Sequence, residues 1–493
     1  MSSVNAEQKN GAATFLVHEA GTILSVRECI VRVKGMPSVI NGQIVEFEHG
    51  GKGMVMGFNE KEVHVLVLNS KSSLHIGDKV ISTGEFLKLP VGDAFLGRIV
   101  SSLCEPMDDG GLIEPSAIFP VFAEAPGVMD RRPVKETLET GTMLLDAVIP
   151  IAKGQRQLLI GDRLTGKTTV AVDAIINQKE QNVVCIYCCI GKPNSSLQKI
   201  LNLFFEQGVF SYTIVVGSVA SAPMGEQYLA PYTATMLGEY FMKKGKDVLV
   251  VFDDLTKHAW VYRQISLLLE RAPGREAYPG DIFYVHSQMM ERAGYFNMEL
   301  GGGSMTFLPI VEILQGDVTG YIASNLISMT DGQIYFSTLL FNKGTRPAID
   351  FGLSVSRIGN KAQWPAMKAL SGQLRLEYIQ YQELLQMTQL RTTGLSKEAE
   401  DRMRRGQAIT QLLIQDKNKP LAMEAEIMYL FALSMGLLDT LSSSDVRKFK
   451  DTFVTLVRKE FPDLFNEIRT TMILNDTSIE MLYEALNHYF AAV

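Results

Sequence analysis

The spacing of apolar positions along this sequence changes character twice. Between residue 20 and about 85, short runs rich in branched side chains ("TILSVREC", "IVRVKG", "QIVEFE", "MVMGF" and "VHVLVL") alternate with turn residues, among them "HGGKG", "SLHIGDKV" and "STGE". Several short strands at this spacing predict a small β-barrel over 1–85. Over 86–363 strand-like and helical runs alternate, as in a mostly parallel sheet with helices on both faces. After Trp364-Pro365 the spacing becomes helical. Met367, Leu370, Leu374, Tyr378, Tyr381 and Leu385 share one stripe, and "EAEIMYLFALSMGLLDTL" and "SIEMLYEALNHYFAAV" continue the theme. The expected fold class is therefore α/β, in three parts: an N-terminal barrel, a central α/β domain over 86–363 and a C-terminal helical bundle over 364–493.

The central zone carries the first chemistry. "RQLLIG" leads like a buried strand into "DRLTGKT", and "TTVAVDAIINQ" leads out with helical spacing. Gly161 to Thr168 fits G-x-x-x-x-G-K-[ST], the loop that wraps backbone N–H groups around phosphates at a helix N-terminus. The candidate contacts are Gly161, Asp162, Arg163, Leu164, Thr165, Gly166, Lys167, Thr168 and Thr169. Lys167 is expected at the β and γ phosphates and the Thr168 hydroxyl on Mg²⁺. The expected cofactors are ATP or ADP with Mg²⁺.

A second signal is "KDVLVVFDDLTKHAW", where Val248 to Phe252 run into Asp253 and Asp254. A buried strand ending in a carboxylate sets that charge at the sheet edge where a phosphate loop opens, so Asp253 is the second metal candidate. The same pattern also fits a plain Asp-Asp turn.

Composition narrows the classes. The protein has 493 residues, which suggests two to four domains, and 46% hydrophobic with 20% charged residues is ordinary for a globular protein. A net charge of −7 argues against a general nucleic-acid surface, and no run reaches membrane-spanning length. "MSSVNAEQKNGAATF" has neither an apolar signal core nor an Arg-rich transit character. Three of the five cysteines cluster in "NVVCIYCCIGK". The apolar β-forming context reads as core, against a redox or metal alternative that needs exposed thiols.

"GDRLTGKT", "VVFDDLTKHAWVYRQISLLLERAPGREAYPGDIFYVHS", "GGGSMTFLPIVE", "GDVTGYIASNLISMTDGQIYF" and "GLSVSRIG" resemble the alpha-subunit family of F-type ATP synthases, in register from about residue 20 onward. The resemblance implies a ring in which this protein alternates three-plus-three with catalytic beta subunits around a central-stalk gamma subunit. It also implies a peripheral stalk and a place on the cytoplasmic face of a membrane, without insertion and without nucleic acid, in a bacterial setting. In catalytic relatives a Gly-Glu-Arg supplies the glutamate that activates water; here "IGKPNSSLQK" has Lys192. An ammonium has no lone pair with which to take that proton.

Read alone, Arg357 in "IDFGLSVSRIGNKAQ" is a strand-end arginine bonding local carbonyls. By resemblance it aligns with an arginine finger that reaches the γ phosphate in the neighbouring beta site, and Ser354 aligns with a serine needed for activity. Arg346, Pro347 and Gln415 match the family's adenine pocket.

Leu164 and Lys417 depart from the family, each standing where a glutamine is usual. Where family members normally begin with an amphipathic helix that a peripheral stalk grips, "NAEQKNGAATF" has Gly11 and only weak apolar periodicity. Three alternatives stay open on sequence: an alpha-like subunit of a non-synthase motor, a homohexameric export ATPase, and an RNA translocase. The second needs the missing glutamate. The third needs aromatic platforms absent from the strand zone between residues 20 and 85, whose only aromatics are Phe47 and Phe58.

Overall fold

The computed structural model describes residues 3–9, 12–390 and 396–492. It has an N-terminal six-stranded barrel, a central α/β region with a parallel sheet and a C-terminal helical region. The barrel closes in the order Ala20–Arg27, Ile30–Lys34, Val63–Ser70, Gly51–Phe58, Gln43–Phe47 and Lys79–Phe86, which pairs again with the first strand. Every pairing is antiparallel. Alternating valines fill the interior: Val31, Val33, Val45, Val55, Val65 and Val80 have no exposed surface, as period-2 strands with one buried face require. The closing strand Lys79–Phe86 is the one that the apolar pattern does not announce, because its "STGE" reads as a turn. Only Val80 and Ser82 of that strand are buried.

Ahead of the barrel, Ser3–Lys9 pairs antiparallel with Ala12–His18. Gly11 lies outside the described residues. No helix among the described residues is long and apolar enough to cross a membrane.

The protein divides into two compact units: residues 1–130, 184–292 and 298–303 make one, and 131–183, 293–297 and 304–493 the other. Beyond the barrel, the first unit orders its strands as Ile99–Val100, Thr213–Ser218, Val183–Ile190 and Asp247–Asp253, the first three paired in parallel. Val183–Ile190 is buried at every position. Its Cys185, Cys188 and Cys189 are unbonded core residues, and burial pushes their thiols well above the ordinary range.

In the second unit Leu158–Gly161 lies between Ser304–Glu312 and Gly332–Phe336, parallel to both, and Ile349–Ser356 runs antiparallel at the edge. The C-terminal helices follow in this unit. The helical stripe after Trp364 is broken in two, as Pro365–Ser371 and Leu374–Leu390, at Gly372, a residue that weakens a helix interior. Ser396 and Ser442 cap the helices Lys397–Leu413 and Ser443–Glu460 by accepting from Ala399 N–H and Asp445 N–H. Arg469 then ties the bundle to the α/β part of the same unit, donating to both oxygens of Glu139 and to Gln181.

The helix Met423–Ser434 is buried from Met423 to Leu433 and, apart from Glu424 and Glu426, that stretch is apolar, as suits a central helix. It carries one anomaly. Glu426 is fully buried, and among the described residues neither carboxyl oxygen has a hydrogen-bond partner. Burial, and then the nearby Asp146, Glu139 and Glu424, hold its proton on well above the usual carboxylate range, against a smaller pull from Lys450. A raised folded value means that the stabilising protonated state is fully populated below the unfolded value. That stability is lost as pH climbs toward the folded value. Glu426→Gln should therefore flatten the pH dependence of stability. Thermal melts at about pH 8 and pH 5 should show the variant gaining on wild type at the higher pH, by at least about 3 °C, the shift expected for roughly 1 kcal/mol in a large domain. Equal shifts at both pH values would remove Glu426 as the source.

Candidate functional site

The strand Leu158–Gly161, buried at all four positions, runs into the turn, and the helix Lys167–Ile176 leaves it. Two glycines permit the turn. A Cβ on Gly161 would lie 2.5 Å from the Phe336 carbonyl oxygen, and Gly166 takes φ 101°, in the left-handed region. As N-cap, Gly166 has no side chain to compete for the N–H groups of the first turn, which also holds no acidic residue. Thr168 and Thr169 sit in that turn, half-buried.

The loop is braced from behind. The Asp162 carboxylate accepts from Gly316 N–H at 3.0 Å and from the Thr338 hydroxyl at 2.7 Å. The buried Thr165 donates its hydroxyl to the Asp162 carbonyl at 2.8 Å. Lys167 is almost wholly buried, and its Nζ donates to the carbonyls of Gly161 and Asp162 at 2.8 and 2.6 Å. Arg163 is exposed, 3.6 Å from Glu312. Leu164 stands at φ 62° with 89% of its surface exposed, an apolar tip at the apex of the loop. Backbone donors at a helix N-terminus beside a buried ammonium form a donor set that fits a polyphosphate.

Along the same unit, Arg346 lays its guanidinium 3.5 Å from the ring centroid of Phe341. Its Nη1 donates to the carbonyls of Phe341 and Thr345. Pro347 follows through a cis peptide. The Arg346 carbonyl accepts from Gln415 N–H at 2.8 Å, so these sequence-distant residues do meet. The Gln415 side chain, however, is committed to backbone. Its amide donates to Gly141 and Lys419 carbonyls, and its oxygen accepts from Met143 N–H. Both amide hydrogens are thus used inside the protein.

Asp253 belongs to the first unit and ends the strand Asp247–Asp253. It is fully buried. One oxygen accepts the Tyr187 phenol at 2.7 Å, and the other is paired with the Lys192 ammonium. Burial, and then the Asp253 charge, hold the Tyr187 phenol protonated, far above its ordinary range. So Lys192 is more than a loop lysine: it balances a buried carboxylate. Asp254 is used as the N-cap of the helix Leu255–Leu268, accepting from Lys257 N–H at 2.8 Å.

Ser354 and Arg357 sit at the edge strand. Its pairing with Gly332–Phe336 is interrupted, and Ile334 alone faces residues 351–354. The buried Ser354 Oγ accepts from Tyr335 N–H at 2.9 Å, replacing a ladder bond that the bulge removes. Arg357 follows the strand, exposed, with its backbone N–H on the Asp331 carbonyl at 3.0 Å. Arg156 holds the Asp331 carboxylate with its backbone N–H, Nε and Nη2 at 3.0–3.1 Å. Among the described residues, no hydrogen bond or ion pair to the Arg357 guanidinium is made.

Sequence reasoning missed the braces: Thr338 and Gly316 behind Asp162, Tyr187 on Asp253, and Arg375, which donates to the carbonyls of Phe351 and Ser354. Each contact joins segments distant in sequence, and none belongs to a motif.

Three family models match this protein. The beta-barrel domain of the ATP synthase alpha/beta family matches residues 16–84, its nucleotide-binding domain matches 141–356, and its C-terminal domain matches 363–489. They cover most of the sequence, in the order of barrel, phosphate-loop region and helices just described. With that geometry, they establish that the protein belongs to the ATP synthase alpha/beta family.

Proposed function

We propose that this protein is the alpha-type, non-catalytic subunit of a rotary F-type ATP synthase moving protons or sodium ions. In this reading it holds Mg-ATP or ADP at its own loop and lends Arg357 to the active site of a neighbouring beta-type subunit. Family membership implies a hexameric ring with beta-type partners. The proposal adds the three-plus-three alternation, a central-stalk gamma subunit, a peripheral stalk, and a place at the cytoplasmic face of a bacterial membrane.

The observation that carries this reading is Lys192. Hydrolysis needs a base or a water-orienting acceptor beside the γ phosphate. The position where catalytic relatives place a glutamate here holds an ammonium, and that ammonium is committed to Asp253. The loop can therefore grip without supplying the proton acceptor. Lys167 would turn from the Gly161 and Asp162 carbonyls to the β and γ phosphates. Thr168 would serve the Mg²⁺ shell, whose role when bound is to neutralise phosphate charge, and Asp253 is the second metal candidate by its place at the end of a buried strand. Arg346 and Pro347 would flank the base, with Gln415 bracing that wall. The exposed Arg357 guanidinium, without a partner among the described residues of its own subunit, supports a role in trans. Its planar fork suits equatorial phosphoryl oxygens, and Ser354 fixes the strand that delivers it.

One observation favours a second reading, an alpha-like subunit of a non-synthase motor. The N-terminal segment pairs as strands Ser3–Lys9 and Ala12–His18, whereas the resemblance leads one to expect a stalk-binding amphipathic helix. Co-purification decides between them: membrane rotor subunits beside a beta-type partner mark a synthase.

The purified protein, free of beta, should bind Mg-ATP in equilibrium dialysis and show no turnover in a coupled ATPase assay. Robust hydrolysis would instead indicate a homohexameric ATPase. Lys167→Ala should empty this subunit's site, read as bound nucleotide per ring, while single turnover at the beta sites survives. An unchanged nucleotide content would refute the loop assignment. Arg357→Ala should leave assembly and nucleotide binding intact yet lower steady-state turnover of the reconstituted ring by about 10³-fold, the scale of arginine-finger losses. Arg357→Lys should rescue poorly. Near-normal turnover in Arg357→Ala would make this arginine structural.

A further inference from the structure

The bulge in the edge strand Ile349–Ser356 is wired throughout, and one of its wires comes from the C-terminal helices. Ile334 faces four residues, 351–354, so the polar groups of that stretch lose their ladder partners. The Asp350 carboxylate takes the N–H groups of Gly352 and Leu353 at 2.8 and 3.2 Å. The Gln333 side chain donates to the Leu353 carbonyl at 3.2 Å, and Ser354 Oγ accepts from Tyr335 N–H. The carbonyls at the two ends of the bulge, Phe351 and Ser354, both go to Arg375 Nη2, at 2.8 and 3.1 Å. Arg375 lies in the first turn of the helix Leu374–Leu390. One turn on, Tyr378 packs its ring on Phe351 with centroids 4.1 Å apart.

Arg357 begins three residues beyond Ser354. Its backbone is therefore held on one side by Asp331 and, through the bulge, on the other by Arg375. We propose that Arg375 is a positioning residue for Arg357: by gripping both ends of the bulge it sets where the strand delivers the guanidinium. The placement of that group would then depend on the helix Leu374–Leu390. This inference rests on the reading of Arg357 as a residue acting in trans.

The test is a double-mutant cycle in the reconstituted ring with a wild-type beta partner. Arg375→Ala should lower kcat by about 10²-fold, the cost of displacing an oriented group by roughly 1 Å. KM, ring assembly and bound nucleotide should hold. Arg375→Lys, which keeps donors but not the fork, should recover part of the loss. The double variant Arg375→Ala/Arg357→Ala should be no slower than Arg357→Ala alone, because the two act through one group. A normal kcat in Arg375→Ala beside a crippled Arg357→Ala overturns the positioning role and leaves the trans role standing. Additive losses in the double variant also overturn it, since they mean that Arg375 acts on something else. Normal turnover in Arg357→Ala overturns both readings together.

Discussion

An anion-binding turn can keep its donors facing outward only if its own polar groups are satisfied from behind. Much of the second unit is arranged around that requirement. Asp162 is fixed by Gly316 and Thr338, Thr165 closes the loop on itself, and Gly161 passes so near the Phe336 carbonyl that no side chain fits. Lys167 is buried against loop carbonyls, so its charge is partly stabilised before any phosphate arrives. A loop held this way loses little conformational entropy when it binds, which is what preorganisation contributes to affinity.

Charge balance is a second constraint. A buried carboxylate must be balanced, because its desolvation costs several kcal/mol if it is left alone. Asp253 is balanced by Lys192 and by the Tyr187 phenol. The same lysine therefore meets a structural need. Glu426 meets the burial constraint differently. Burial raises its affinity for a proton, and it has no hydrogen-bond partner among the described residues.

The edge strand shows how side chains can replace the bonds that an irregular element forfeits. Its bulge forfeits ladder bonds, yet Asp350, Gln333, Ser354 and Arg375 replace them from four directions. The result is an exposed arginine on a well-anchored backbone. On the proposed trans role of Arg357, such anchoring would limit the reorganisation that otherwise cancels transition-state stabilisation.

The barrel, the parallel sheet and the helical end were legible in the sequence because each follows from local apolar period, and the phosphate loop because its chemistry is contiguous. The ion pair of Lys192 with Asp253, by contrast, was not legible from its position. Three things could not be read. The strand Lys79–Phe86 hides its period behind polar residues and exists because it closes the barrel on two partners. The split at Gly372 breaks a stripe that sequence alone continues. Gln415 and Arg346 reach each other only through the fold, and the fold commits the Gln415 amide to backbone. Sequence thus determined which residues are apolar, charged or conformationally free, since those properties belong to a residue and its near neighbours. Tertiary structure decided which polar group satisfies which, because hydrogen-bond partners are chosen by proximity in space among segments hundreds of residues apart.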